Sequence, residues 1–373
     1  MLSTIKKSMF AAAMAGLLFP ALGYSATLDE IDKRLKKLEG DVGMAHEETD
    51  DIATRLKNSL TVSGYADTEY ISTNNPGDTS GFRIHHLSMF LKKQVTEDLR
   101  FFSETEWEDA PYVDGSNNVM SGKVFVEALN FDYQWRPDTS MRVGRFFTPA
   151  GIWSVDHYPP FVLTQQRPQF IRKIFPQLVD GATVSGLHDL NGAFLSYDFY
   201  VGNSETANFD GNSNANATTA VGLRANVALP IAQQFDVGAS YYRDKQAKTL
   251  SVQDEAKKDA YGVHAKIKQG AYGLQMEYAN ANIQPTVASK FHKKGYYAQF
   301  SYDIGKWTLA YRYDYFDPKT TVVSNGTKIN SAIVNYHVNK NVVLKLEHHL
   351  VDVLNPTTPD YYRDIVSIAV NLD

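Results

Sequence analysis

From Ser59 almost to the last residue, apolar side chains recur at every second position, the period of a strand whose two faces meet different surroundings. Leu60, Val62, Gly64, Ala66 and Tyr70 alternate with Thr61, Ser63, Tyr65, Asp67 and Glu69, and Trp307, Leu309, Tyr311, Tyr313 and Tyr315 alternate with Thr308, Arg312 and Asp314. The pattern predicts sixteen strands, near 59–71, 82–93, 98–108, 123–135, 139–147, 180–187, 192–202, 218–229, 234–244, 258–268, 271–281, 293–304, 306–316, 327–338, 341–351 and 361–372. Short links such as Lys268 to Ala271 and Gly305-Lys306 alternate with long polar ones such as Ser72 to Gly81, Asn203 to Thr218 and Lys245 to Lys257.

Ahead of the strands the period is 3.5. Leu28, Ile31, Leu35, Leu38, Val42, Ala45, Thr49, Ile52 and Leu56 occupy the a and d positions of heptads, which predicts a short α-helical coiled coil over 27–58. Leu at a followed by Ile at d leans towards trimers or tetramers; a single amphipathic helix lying on the body of the protein is the alternative. In 1–26, Lys6 and Lys7 precede an apolar stretch from Met9 to Leu22 and the small residues Gly23, Ser25 and Ala26, as in a secretory signal.

Sorting of long and short links onto opposite ends is the arrangement of a membrane barrel, with an even strand number returning both termini to one side, the periplasm. The expected fold is therefore all-β, a 16-stranded antiparallel transmembrane β-barrel over 59–373 preceded by the coiled coil. Aromatics in the apolar phase support it: Tyr272 and Tyr278, Tyr296 and Tyr302, and Trp307 and Tyr313 sit six residues apart on three successive strands, spaced as two interfacial girdles. The opposite phase carries His264, Lys266, Lys268, Glu277, Asp303, Arg312, Asp314, Lys345 and Glu347, more charge than a dry core tolerates. Such an interior holds water.

Composition narrows the chemistry. The chain of 373 residues has no cysteine, which excludes a disulfide scaffold, a zinc ribbon and a thiol nucleophile. A net charge of -5 argues against a nucleic-acid partner. No catalytic residue, cofactor or metal site is expected: no Gly-x-Ser-x-Gly elbow occurs, and in the pairs His85-His86 and His348-His349 alternation should aim the two rings at opposite faces. A barrel hydrolase using Ser367 with a neighbouring histidine, and a structural or adhesin-type barrel, are the contrasting readings.

Sixteen strands enclose an aqueous channel, so passage of small polar solutes is the default function. The link from Thr148 to Val179 carries Trp153, Tyr158, Phe161, Phe170 and Phe175, too apolar to splay into water, and is expected to fold inward and narrow the pore. Arg142, Arg167, Arg172 and Lys173 are the candidate constriction residues, giving an anion preference; Arg100, Glu104, Glu106, Asp132, Lys266, Lys268 and Arg312 are the candidate lumen wall. Basic residues of an outer loop that bind surface lipid phosphates are the alternative.

Phe82-Arg83-Ile84, and Arg142-Val143-Gly144-Arg145-Phe146 running into Thr148-Pro149, resemble motifs of the phosphate-selective porin O/P family. The resemblance implies a trimeric outer-membrane channel in a lipid bilayer, with a constricting third loop and, in some relatives, a periplasmic coiled coil. It has departures: His85 and His86 stand where the family pattern has arginines, Phe147 replaces a basic residue, and Asp373 follows a closing strand without its usual terminal aromatic.

Overall fold

The computed structural model describes residues 59–109, 122–205, 218–246 and 256–372, together with Lys36 and the short pieces 112–113 and 119–120. The chain divides into two units, Met1–Asn58 and Ser59–Asp373. The coiled coil expected at 27–58 and the signal expected at 1–26 lie outside the described residues, except for Lys36, which is helical and exposed.

The second unit is built from β1 (Thr61–Thr73), β2 (Gly81–Gln94), β3 (Leu99–Glu108), β4 (Lys123–Arg136), β5 (Thr139–Phe147), β6 (Leu178–Leu190), β7 (Ala193–Asn203) and β8 (Thr219–Ala228). It continues with β9 (Gln234–Gln246), β10 (Ala256–Gln269), β11 (Tyr272–Pro285), β12 (Phe291–Ile304), β13 (Trp307–Asp317), β14 (Thr327–His337), β15 (Val342–Val353) and β16 (Tyr361–Asn371). Each strand pairs antiparallel with the next, and β16 pairs with β1, closing a barrel of sixteen strands. Closure leaves no open edge, the requirement for backbone that crosses hydrocarbon. A two-residue ladder, Tyr112–Val113 with Val119–Met120, stands outside the barrel in the link after β3.

Burial is inverted relative to a water-soluble protein. On β15, Leu344, Leu346 and Leu350 are exposed, while Lys345, Glu347 and His349 are buried. Alternation thus puts the apolar set against lipid and the charged set inside. Aromatic rings pair at both ends of the outer face: Tyr272 with Tyr302 and Trp307 with Tyr336 at the short-turn end, Tyr296 with Tyr313 and Tyr315 towards the long loops. Short turns set the strand register. Asn191 and Gly192 link β6 to β7 with φ of 59° and 97°, the doubly left-handed geometry that matches strand twist.

Three register shifts interrupt the ladders of the described strands; one, between β4 and β5, leaves Trp135 extra beside the short turn, and the other two reach the lumen. Between β1 and β2, Asp67 pairs with His86 and Thr68 with Ile84, which leaves His85 as a bulge. Between β3 and β4, Glu104 pairs with Ala128 and Thr105 with Val126, so Glu127 is extra. The bulge between β1 and β2 corrects an expectation from strict alternation: His85 and His86 do not point apart but both turn inward to Asp67, their ring centroids 3.7 Å apart. His348 and His349 keep the alternation, one outside against Asp364 and one buried inside.

The apolar core lies within the barrel, where Trp153, Phe170, Ile174 and Phe175 of the link from Thr148 to Gln177 pack on Tyr200, Tyr242, Ala260, Ala279, Ala281 and Tyr297 of the wall. Burying each such side chain is worth about 1.5–3 kcal/mol, enough in sum to keep the link out of water.

Candidate functional site

A link with little regular structure that enters a barrel must find partners for its backbone polar groups. The wall supplies them from charged and amide side chains. Arg224 donates to the Gly151 carbonyl (3.1 Å), Glu277 accepts the Trp153 amide (3.1 Å) and Asn335 donates to the Leu163 carbonyl (2.9 Å). Lys345, 2% exposed, donates to the carbonyls of Pro159 (2.6 Å) and Val162 (2.7 Å), and Glu347 accepts the Gln165 amide (2.5 Å). Gln165 then reaches Asp67 on β1 (2.6 Å), and Tyr158 donates to Glu104 on β3 (3.1 Å). The link thereby crosses the lumen from β8 to β1 and β3.

Close packing fixes its far half. Phe170 stacks on Tyr297 with centroids 6.2 Å apart, and Gly295 leaves the space: a Cβ there would come within 2.2 Å of the Phe170 Cβ. Burial lowers the basicity of His157 and, with Glu104 beside it, pushes the Tyr158 phenol above its ordinary pKa. Both rings are therefore neutral members of the packed loop.

The expected constriction residues separate into different places. Arg142 lies on the wall in a two-point pair with Asp132 (2.5 and 3.1 Å), and Asp132 also stands opposite Arg100 in the ladder. Arg167 sits in the loop as an electrostatic neighbour of Glu104 and Glu127. Arg172, in a left-handed backbone position (φ 66°), approaches Glu127 at 3.5 Å. Arg172 and Lys173 border an open cavity of about 530 Å³ with Gln169, Glu205, Lys293 and Phe316. The Lys173 ammonium lies 4.9 Å over the Phe316 ring, and burial together with Lys293 lowers its pKa.

Several expected wall residues do not meet open water. Glu104, Glu106 and Arg312 are fully buried under the loop. Arg312 pairs with Asp314 (2.7 Å) and donates to Thr164 and to the Gln166 carbonyl (2.8 Å), so it clamps the loop. Lys266 lies 3.7 Å from Asp156, Lys268 is bonded to Asp303, and both border a cavity of about 180 Å³ beside Trp153. Strand pattern placed Glu277, Lys345 and Glu347 on the inward face without marking them as partners of the loop, and the site also draws on Arg224 and Lys293. Inward phase was their signal, but their loop partners lie far away in sequence.

Residues 179–353 match the family model described as Gram-negative porin. The chain resembles Gram-negative porins. Among solved structures, the barrel is similar to an anion-selective porin from Comamonas acidovorans (TM-score 0.60, 12% identity, 84% of this chain and 99% of that one). It is similar also to OmpF of Salmonella typhi in complex with daunomycin (TM-score 0.56, 16% identity, 85% and 98%) and to the outer membrane channel DcaP of Acinetobacter baumannii (TM-score 0.54, 13% identity, 84% and 97%). At such identities the likeness is one of fold. An uncharacterized protein of Aquifex aeolicus (strain VF5) is 31% identical over 155 residues, 41% of this chain, and the match spans about a third (34%) of that curated relative. A porin-like barrel points to a channel rather than an enzyme. His349 does bridge Ser331 (2.8 Å) and Glu347 (3.0 Å) in a relay-like row, yet all three are fully buried and closed to a substrate.

Proposed function

We propose that the protein is a porin of the Gram-negative outer membrane that lets small hydrophilic, preferentially anionic, solutes diffuse through a channel narrowed by the loop from Thr148 to Gln177. The observation that carries this reading is the loop itself: it is bound across the lumen by buried wall side chains, while Arg172, Lys173 and Lys293 gather at the cavity on its loop-side face. Cations at a constriction act on a passing ion within a few ångströms, whereas rim charges are screened over about 8 Å.

Assembly as a homotrimer with both termini in the periplasm fits the same reading, supported by porin likenesses that include a trimer form of OmpT from Vibrio cholerae. The protein needs no cofactor in this account, and the strand register, which sets Ser367 opposite Lys345 and puts Asp364 and Arg363 opposite His348 and His349, argues against the barrel-hydrolase reading. Purified protein added to a planar bilayer should produce stepwise conductance increments. A folded protein that inserts and passes no current would remove the porin reading and leave the structural or adhesin one.

A further inference from the structure

The buried His86 and Glu106 and the half-buried Glu108 form a group of metal-ligating side chains that the loop-holding role does not use. Ligand atoms of His86, Glu106 and Glu108 all lie within 4.8 Å of one another on β2 and β3. Carboxylate crowding alone would say little, but the imidazole is specified further. Asp67 accepts Gln165 Nε2 (2.6 Å) and stands 3.1 Å from His85 and 2.8 Å from His86 Nδ1. A carboxylate in that position only accepts, so His86 Nδ1 donates to Asp67 and Nε2 is the ring atom turned towards Glu106.

That nitrogen lies 3.8 Å from Glu106 Oε1, too long for a hydrogen bond. Glu106 Oε1 is buried with no hydrogen-bond partner, while Oε2 of the same group is filled by Tyr65 (2.8 Å) and Ser88 (3.1 Å). A divalent ion seated between that nitrogen and that oxygen would give the unpartnered Oε1 a ligand bond. Bonds of about 2.0–2.2 Å from nitrogen and oxygen to a zinc-like ion span such a separation at an open angle. The Asp67 carboxylate on the far ring nitrogen is the outer partner that metal-bound histidines use to fix tautomer and orientation.

We propose that His86 Nε2, Glu106 Oε1 and a Glu108 oxygen bind one divalent cation of the Zn²⁺ type, with Asp67 as the positioning residue. Lys123, 3.5 Å from Glu108 Oε2, is the nearby competing cation, and Glu104 and Glu127 form an adjacent triad that shares Glu106. The inward turn of the β2 bulge brings His86 to this wall, and the ion would tie β2 to β3 where loop residue Tyr158 meets Glu104.

The test uses folded full-length protein, stripped with chelator and titrated with Zn²⁺ by calorimetry, with Co²⁺ as a visible-absorption probe. The expected result is one ion per chain, a Co²⁺ spectrum showing nitrogen and oxygen ligation, affinity at least tenfold weaker in His86→Gln and Glu106→Gln, and about 10- to 100-fold weaker in Asp67→Asn. His348→Gln, on the outer face, should bind as the unaltered protein does. Heat-modified gel mobility verifies that each variant is folded, and the Co²⁺ spectrum tests the unaltered protein by itself. Absence of stoichiometric Zn²⁺, a site that prefers Ca²⁺ over Zn²⁺, or affinity unchanged in His86→Gln would each overturn the assignment and leave a shared proton between these groups.

Discussion

Replacing Lys345 by Met removes the ammonium that binds the loop carbonyls of Pro159 and Val162 while keeping an unbranched side chain of similar length. The position is 2% exposed, so water does not substitute for the lost donors. Removing one partner from a buried charged arrangement costs about 3–5 kcal/mol. At about 1.4 kcal/mol per factor of ten, the segment around 159–163 should open about a hundred- to several-thousand-fold more often if the loop bears the whole loss. Neighbouring bonds from Asn335 and Glu347 remain, so the opening is local and the barrel stays closed. Hydrogen exchange of the amides at 161–166 should accelerate accordingly, and single-channel records should show added flicker. His348→Met, three residues on and facing outward, is the matched control. Exchange within about threefold of the unaltered protein, in a folded barrel, would refute the reasoning that Lys345 holds the loop.

Gly295→Val should force Phe170 off Tyr297 and lower barrel stability by about 1–3 kcal/mol, read as a lower temperature of heat-modified gel migration; no shift would mean the contact yields freely. Lys173 is charged below its pKa and neutral above it, and burial with Lys293 brings that pKa below the ordinary lysine value of about 10.4. Anion preference should therefore decline on the alkaline side before ordinary lysines titrate, and Lys173→Arg should abolish that decline; a flat profile in the unaltered protein counts against Lys173 as a selectivity residue. A tag inserted at Thr357, in the long link after β15, should be reachable on whole cells, and one at Gly270 only after the membrane is broken; the opposite pattern inverts the topology.

Strand number and phase were legible because lipid and water impose opposite demands on alternate residues, and sixteen successive strands repeat that demand. The inward loop was legible for a related reason: Trp153, Phe170 and Phe175 have no place in open water. Bulges were not legible, since nothing in the string His85-His86 says that one extra residue turns both rings to Asp67. The same limit hid Glu127, which only the bulge between β3 and β4 brings beside Glu104 and Glu106. Glu104, Glu106 and Arg312 were assigned to the right face but to the wrong surroundings. Phase along a strand says which side a residue faces, whereas its burial depends on which loop atoms, 50 to 150 residues away, settle on top of it, as Tyr158 does on Glu104 (|i−j| = 54) and Thr164 on Arg312 (|i−j| = 148).

The central claim, a loop-narrowed channel with a basic face, is tested most directly by the zero-current potential across a planar bilayer in a KCl gradient. The account predicts a potential of the sign of chloride preference, moved towards cations when Arg172 and Lys173 are both replaced by Gln. A cation-preferring channel, or a potential that the double substitution leaves unmoved, would contradict it.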